Sequence, residues 1–133
     1  MAKKQPTVEQ FMTKNPKAVR SSLSVVEAEN TMIVNGFRHL PVIKGDQIIG
    51  IISDRDLKFV QSFKDIDSSQ MEIEEVLHSE PYTVSPDTPL EVVVRDMMVN
   101  KIGSAIVAKD GKLEGIFTTI DALQALLNIL QND

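Results

Sequence analysis

One numerical offset organises the chain. Adding 65 to a residue number carries Glu9 to Glu74, Pro16 to Pro81, Val19 to Val84, Met32 to Met97, Val34 to Val99 and Asn35 to Asn100. The same step carries Val42 to Val107, Lys44 to Lys109, Gly50 to Gly115, Ile51 to Ile116 and Asp56 to Asp121, with no gap between residues 8–57 and 73–122. These 11 identities over 50 positions fall at matching turn and strand signals and mark two copies of one supersecondary unit. Each copy is too short to bury much core alone, whereas the 133 residues together have the length of one ordinary domain. The duplication therefore predicts two half-units sharing one module.

Both copies read β-α-β-β-α. A short helical stripe, residues 8–12 or 73–77, breaks before Pro16 or Pro81 and gives way to an extended segment at Ala18-Val19 or Thr83-Val84. Ser24-Val25-Val26-Glu27 has the form of a capping box, and Thr88-Pro89-Leu90-Glu91 places proline at the expected first helical position. The two helix entries are thus expected to differ by about one residue. Leu90, Val93, Val94, Met97 and Met98 share one helical face, with the methionines expected in the core; Val25, Ala28, Met32 and Ile33 repeat it more weakly. Two strands then flank a tight turn, at Lys44-Gly45-Asp46 or Asp110-Gly111, and the last helix starts at Ser53 or Thr118. The expected fold is mixed α/β (α+β), with copy 1 over 8–63, a solvated polar linker over 64–70 and copy 2 over 71–130.

Composition narrows the function. With 14 Lys plus Arg against 19 Asp plus Glu, the net charge of −5 opposes general attraction to nucleic acid or to an anionic membrane. Cysteine is absent, and the two histidines, His39 and His78, are too few for a His-based metal cluster, so no metal site is expected. Asp65-Ile66-Asp67-Ser68-Ser69 opens like a calcium loop, but Gln70 stands where glycine is needed and Val76 where the closing Glu should be. No Walker loop, Gly-x-Ser-x-Gly elbow or His-Glu-x-x-His is present, so no catalytic residue and no enzyme activity are expected. Residues 1–6 carry charge without a following apolar stretch, and runs such as Ile48 to Ile52 are too short to span a bilayer. The expectation is a soluble cytoplasmic protein.

The most informative motif is Gly50-Ile51-Ile52-Ser53-Asp54-Arg55-Asp56 with its partner Gly115-Ile116-Phe117-Thr118-Thr119-Ile120-Asp121. Each runs from a strand to a hydroxyl and then to Asp three residues on. One reading is purely structural, a helix N-cap with an acidic residue in the first turn. The other is functional: backbone donors at a helix N-terminus suit a phosphate, and the carboxylate beside them can accept from two ribose hydroxyls.

The tandem units, Gly36-Phe37-Arg38-His39-Leu40-Pro41-Val42 and the paired Ser/Thr-x-x-Asp motifs resemble a pair of CBS motifs, together a Bateman module, over about residues 8–127. The resemblance implies two copies packed with pseudo-twofold symmetry, with clefts between them for AMP, ADP, ATP or S-adenosylmethionine as regulatory ligand and no required cofactor. It puts ribose on Asp56 and Asp121, with the hydroxyls of Ser53 and Thr118 near ribose or phosphate. Arg38, His39 and Arg55 become phosphate partners, or remain solvated surface charges and a strand residue. Adenine would lie near Ala18-Val19 or Thr83-Val84, and Pro41 belongs to the signature segment. The copies diverge, because Gly103, Ser104, Ile106 and Ile120 replace Arg38, His39, Pro41 and Arg55 in the second, and inequivalent clefts are expected.

Leu123, Leu126, Leu127 and Leu130 form one stripe on the last helix, and Ala122, Ala125 and Ile129 widen it beyond one buried face. One reading folds the helix end over its own sheet; the favoured one leaves part of it for a homodimer contact. The chain is expected to be a ligand sensor acting in trans on an effector protein. The alternative is a structural or oligomerisation module with degenerate clefts.

Overall fold

The structure is a computed structural model describing residues 5–77 and 80–132. His78 and residues 1–4, on which parts of the sequence reading fall, lie outside the described residues. In chain order the elements are a 3-10 turn (Val8–Gln10), β1 (Thr13–Lys14), β2 (Val19–Arg20), α1 (Val25–Asn35), β3 (His39–Lys44), β4 (Gln47–Ser53) and α2 (Asp54–Gln61). A second 3-10 turn (Ile73–Val76), β5 (Thr83–Val84), α3 (Leu90–Asn100), β6 (Ser104–Lys109), β7 (Lys112–Thr118) and α4 (Thr119–Gln131) follow. The mixed α+β class expected from the repeat is the class observed.

The chain divides into two compact units, Lys17–Pro81 and a second that joins Met1–Pro16 to Tyr82–Asp133. The first holds a three-stranded sheet in the order β2-β3-β4, the second a four-stranded sheet in the order β1-β7-β6-β5. In each, a short parallel strand pairs with the first arm of an antiparallel hairpin, Val19 with Val42 and Thr83 with Ile106. Residues 13–14 are an additional edge strand, antiparallel to β7 with Thr13 opposite Ile116 and Lys14 opposite Gly115.

Each unit borrows the opening turn of the other repeat. Ile73 and Val76 belong to the core built by Val25, Ala28, Met32, Leu40, Val42, Ile52 and Leu57, whereas Val8 belongs to the core of Leu90, Val93, Met97, Ala105, Val107 and Phe117. The exchange is reciprocal at the level of single bonds. Val8 N–H donates to the Thr88 carbonyl at 2.9 Å, and Ile73 N–H to the equivalent Leu23 carbonyl at 2.8 Å. The segment expected as a solvated linker is largely exposed but is anchored to α1 by Val26 N–H on the Ser68 carbonyl (3.2 Å), and just beyond it the Met71 carbonyl accepts Val25 N–H (2.9 Å).

The helix entries fall at equivalent positions, not one residue apart. Ser24 caps α1 with its Oγ on Glu27 N–H (3.1 Å) while the Glu27 carboxylate accepts Ser24 N–H (3.3 Å). Pro89 is itself the N-cap of α3: it is extended, and its carbonyl accepts Val92 N–H at 3.0 Å and Val93 N–H at 3.3 Å. The helix therefore begins at Leu90. Both helices end on a left-handed residue, Gly36 (φ 68°) and Lys101 (φ 56°); the glycine adopts this conformation without steric cost and the lysine does not.

The expected apolar faces divide. Leu90, Val93 and Met97 are buried, but Met98 is 71% exposed, as is Ile33 in the first copy. A position one residue beyond a buried one is turned by about 100° around the helix axis, which carries 33 and 98 off the core stripe. On α4 only Asp121 and Ala125 are buried, and the leucine stripe itself faces outward. Among the described residues no helix is long and apolar enough to cross a membrane.

Candidate functional site

In the Lys17–Pro81 unit, β4 delivers Gly50-Ile51-Ile52-Ser53 to the start of α2. Antiparallel pairing sets His39 opposite Ser53, Leu40 opposite Ile52 and Pro41 opposite Ile51. Ser53 caps the helix, its Oγ accepting Asp56 N–H at 3.1 Å while Asp56 Oδ2 accepts Ser53 N–H at 2.9 Å. The N-cap reading of the motif is thus correct as local structure. Among the described residues it does not exhaust the carboxylate, because Asp56 is only half-buried and this bond uses one of its oxygens. Asp54 N–H donates to the Arg38 carbonyl at 2.9 Å and fixes the Arg38 backbone beside the helix start.

The charged residues open onto different hollows. Arg38 lines one of about 330 Å³ with Met32, Ile33, Phe37, Leu57 and Lys58. Arg55 lines a shallower one of about 490 Å³ with Phe59, and Asp54 and Lys58 wall both. Val19 lines a third, of about 420 Å³, with Lys17, Arg20 and Glu27. The fold brings Ser53, Asp56 and His39 together at one strand end, while Arg38, Arg55 and Val19 face separate concavities of the same unit. Ala18 is half-buried just before β2, and Pro41 is fully buried.

In the other unit Thr118 caps α4, and Asp121 Oδ2 accepts its N–H at 2.9 Å and its hydroxyl at 3.3 Å. A residue that the motif does not indicate completes this arrangement. The Thr13 hydroxyl donates to Asp121 Oδ1 at 3.1 Å, with Oδ2 at 3.4 Å, and Asp121 is 7% exposed. Nothing in the repeat pattern marks Thr13, because its role arises from a two-residue edge strand pairing with a strand about a hundred positions on. Thr83 and Val84 lie on the opposite edge of that sheet, with β6 between them and β7. Beside them Ile106 N–H donates to the Tyr82 carbonyl at 2.8 Å, and the Tyr82 hydroxyl donates to Asp96 Oδ2 at 2.6 Å. Burial, then that hydrogen bond, pushes the phenol pKa up to about 12.

These two strand-to-helix sites sit on segments that also match a known family. The CBS domain profile covers residues 8–62 and again 73–128. The chain belongs to the CBS domain family. As a CBS pair it is similar in structure to AcuB of Vibrio cholerae, a protein assigned to acetoin utilization, with 27% identity, 96% of this chain and 95% of that one covered, and a TM-score of 0.84. It is also similar to CBSX2, solved in complex with AMP, at 28% identity, 92% and 97% coverage and a TM-score of 0.78. Among curated proteins it is 29% identical over 124 residues to inosine-5'-monophosphate dehydrogenase of Korarchaeum cryptofilum, covering 91% of this chain and 24% of that enzyme. A 17.7 kDa protein of Acidianus ambivalens is 49% identical over 51 residues, 38% of this chain and 31% of that protein. The matched segments thus span about a quarter to a third of the length of these curated relatives.

Proposed function

We propose that this CBS pair is a regulatory module that binds an adenine nucleotide or related adenosyl ligand, AMP, ADP, ATP or S-adenosylmethionine, and passes its occupancy in trans to an effector protein. The observation that carries the reading is the Ser53–Asp56 pair at the start of α2: a half-buried carboxylate with one oxygen committed, beside a hydroxyl and a helix N-terminus. That combination suits a vicinal diol next to a phosphate. The AMP-bound relative supports the ligand class.

In this reading Asp56 accepts from ribose hydroxyls and Ser53 stands near ribose or phosphate, with Asp121 and Thr118 as their counterparts. Arg38, His39 and Arg55 supply phosphate partners that the second copy lacks. The segments at Ala18-Val19 and Thr83-Val84, with Pro41, contribute to adenine binding. The ligand shifts the protein only as far as it favours one conformation over another, and that difference is what an effector reads. The reading includes a homodimer and a reducing, cytoplasmic setting.

A second reading, an oligomerisation module that ignores nucleotides, is favoured by the full engagement of Asp121 and the outward leucines of α4. Isothermal titration with AMP, ADP, ATP and S-adenosylmethionine separates the two. Saturable heat with at least one ligand, lost in Asp56→Ala, is expected. No binding by the wild type would leave the oligomerisation reading, and binding indifferent to Asp56→Ala would remove Asp56 from the ribose site.

A further inference from the structure

We propose that Asn35 is a site of spontaneous deamidation held off by the last turn of α1, and that this chemistry is confined to the first copy because Gly36 follows Asn35 whereas Lys101 follows Asn100.

The reaction needs a side-chain amide with an unhindered peptide nitrogen immediately after it, and Asn35-Gly36 is the one Asn-Gly pair in the sequence. Gly36 N attacks Asn35 Cγ, and the N–Cγ bond forms as the Cγ–Nδ2 bond breaks. Ammonia leaves with the proton that Gly36 N gives up. Water then opens the resulting cyclic imide at either carbonyl. One opening leaves aspartate, the other isoaspartate with the chain running through its β-carbon, and the sum is amide plus water to carboxylate plus ammonium. Water is the only co-reactant.

Asn35 closes α1, and Gly36 follows it in the left-handed conformation at φ 68°. Both are exposed. Among the described residues, its chain neighbours apart, nothing lies within 4 Å of where a Cβ on Gly36 would stand, so the surroundings obstruct neither water nor the closing ring. Two hydrogen bonds instead keep the reacting atoms apart. Asn35 Nδ2 donates to the Thr31 carbonyl at 2.8 Å, which draws the carboxamide back along the helix, and Gly36 N–H donates to the Ile33 carbonyl at a long 3.4 Å. Phe37 N–H on the Met32 carbonyl at 2.9 Å locks the turn. This end of the helix has to open before Gly36 N can meet Cγ, and helix ends are the segments that open at least cost.

The second copy is an internal control. Asn100 closes α3 in the same way, its Nδ2 on the Asp96 carbonyl at 2.9 Å, and Lys101 follows at φ 56° with Ile102 N–H on the Met97 carbonyl at 2.9 Å. The two turns match. What differs is the side chain of Lys101, whose Cβ crowds the attacking nitrogen and narrows the backbone angles through which the ring can close. Either product at Asn35 puts a negative charge where the helix dipole is already negative, and isoaspartate adds a backbone carbon just ahead of Arg38.

The test is incubation of the folded protein at physiological temperature and mildly alkaline pH, beside the guanidinium-unfolded chain, with peptide mapping by mass spectrometry that separates Asn, Asp and isoaspartate at Asn35 and Asn100. In the folded chain Asn35 should convert at least about tenfold more slowly than in the unfolded one, the cost of opening one helix end. It should still convert at least about tenfold faster than Asn100, because glycine alone leaves the ring closure unhindered. Lys101→Gly, at a backbone angle that glycine adopts freely, should bring Asn100 close to the rate of Asn35. Gly36→Lys, which copies the second turn, should protect Asn35, and the Lys101→Gly result stands whether or not Gly36→Lys folds. Equal rates in the folded and unfolded chains would overturn the protective role of the turn. Asn35 no faster than Asn100, or an Asn100 that stays intact in folded Lys101→Gly, would overturn the confinement to the first copy.

Discussion

Gly115 lies directly under Met12: a Cβ at residue 115 would stand 2.6 Å from the methionine Sδ and 2.7 Å from the neighbouring Thr13 carbonyl oxygen. The pseudo-equivalent Gly50 lies under Leu77, whose Cδ2 and Cδ1 would be 2.9 and 3.0 Å away. One glycine faces a paired backbone and the other only the end of a flexible side chain. Gly115→Ala should therefore cost about 1–3 kcal/mol of stability, in the range of overpacking, and Gly50→Ala less, because Leu77 can turn aside. Denaturant titration of the two variants checks this; equal losses, or a larger one at residue 50, would contradict the packing.

The exchange of opening turns makes an unusual prediction about where damage travels. Val8 is fully buried in the core of the unit containing residues 82–133, and Ile73 in that of Lys17–Pro81. Val8→Ala should speed amide exchange in α3 and β6, and Ile73→Ala in α1, β3 and β4, each substitution acting on the repeat to which its residue does not belong in sequence. Removing methyl groups from sites of this burial costs about 1–4 kcal/mol. Mass-spectrometric hydrogen exchange reads the location; protection lost in the residue's own repeat would contradict the exchange.

Most of the architecture was legible because it is carried by local, repeated signals. The 65-residue offset located both hairpins, both main helices and both capped turns, since Ser24, Ser53 and Thr118 are hydroxyls in capping-box spacing. Pro89 misled because proline satisfies the chemistry of either an N-cap or a first helical residue, and the tertiary bond from Leu90 N–H to the Pro6 carbonyl accompanies the later start. The exchange of Val8 for Ile73 was hidden, because a repeat shows which residues correspond and not which copy they pack against. Thr13 was hidden for a related reason: a two-residue strand has no periodicity to read.

Tyr82 gives the protein a stability term that fails in alkali. Burial and the 2.6 Å hydrogen bond to Asp96 raise its phenol pKa to about 12, so the neutral phenol is favoured in the folded chain. A group whose folded pKa is raised contributes fully below its unfolded value, about 10, and loses that contribution as pH climbs from there through the folded value. Tyr82→Phe should lower stability at neutral pH by about 1 kcal/mol, a modest figure for a charge-assisted bond at a half-exposed site. The gap between wild type and variant should then close between pH 10 and about 12. Thermal unfolding of both proteins at several pH values measures the gap, in which the lysine titrations they share cancel; a gap constant up to pH 12 would contradict the role given to the phenol.

The helix α4 presents six large apolar side chains to the outside, Ile120, Leu123, Leu126, Leu127, Ile129 and Leu130, each between 51 and 65% exposed. A helix satisfied by its own sheet would bury such a set. Here the sheet side takes Ala125, part of Ala122 and the Asp121 cap. Covering about 400 Å² of apolar surface yields on the order of 10 kcal/mol. Bringing two chains together costs about 4–15 kcal/mol, so this one helix is marginal as a dimer contact. Leu126→Glu with Leu130→Glu should convert dimer to monomer in sedimentation velocity at micromolar concentration, because two carboxylates would have to be buried unpaired. Helical content and AMP binding at the Asp56 copy should persist, since neither leucine belongs to a core or to that site. A monomeric wild type, or a double variant that remains dimeric, would remove α4 as the dimer contact.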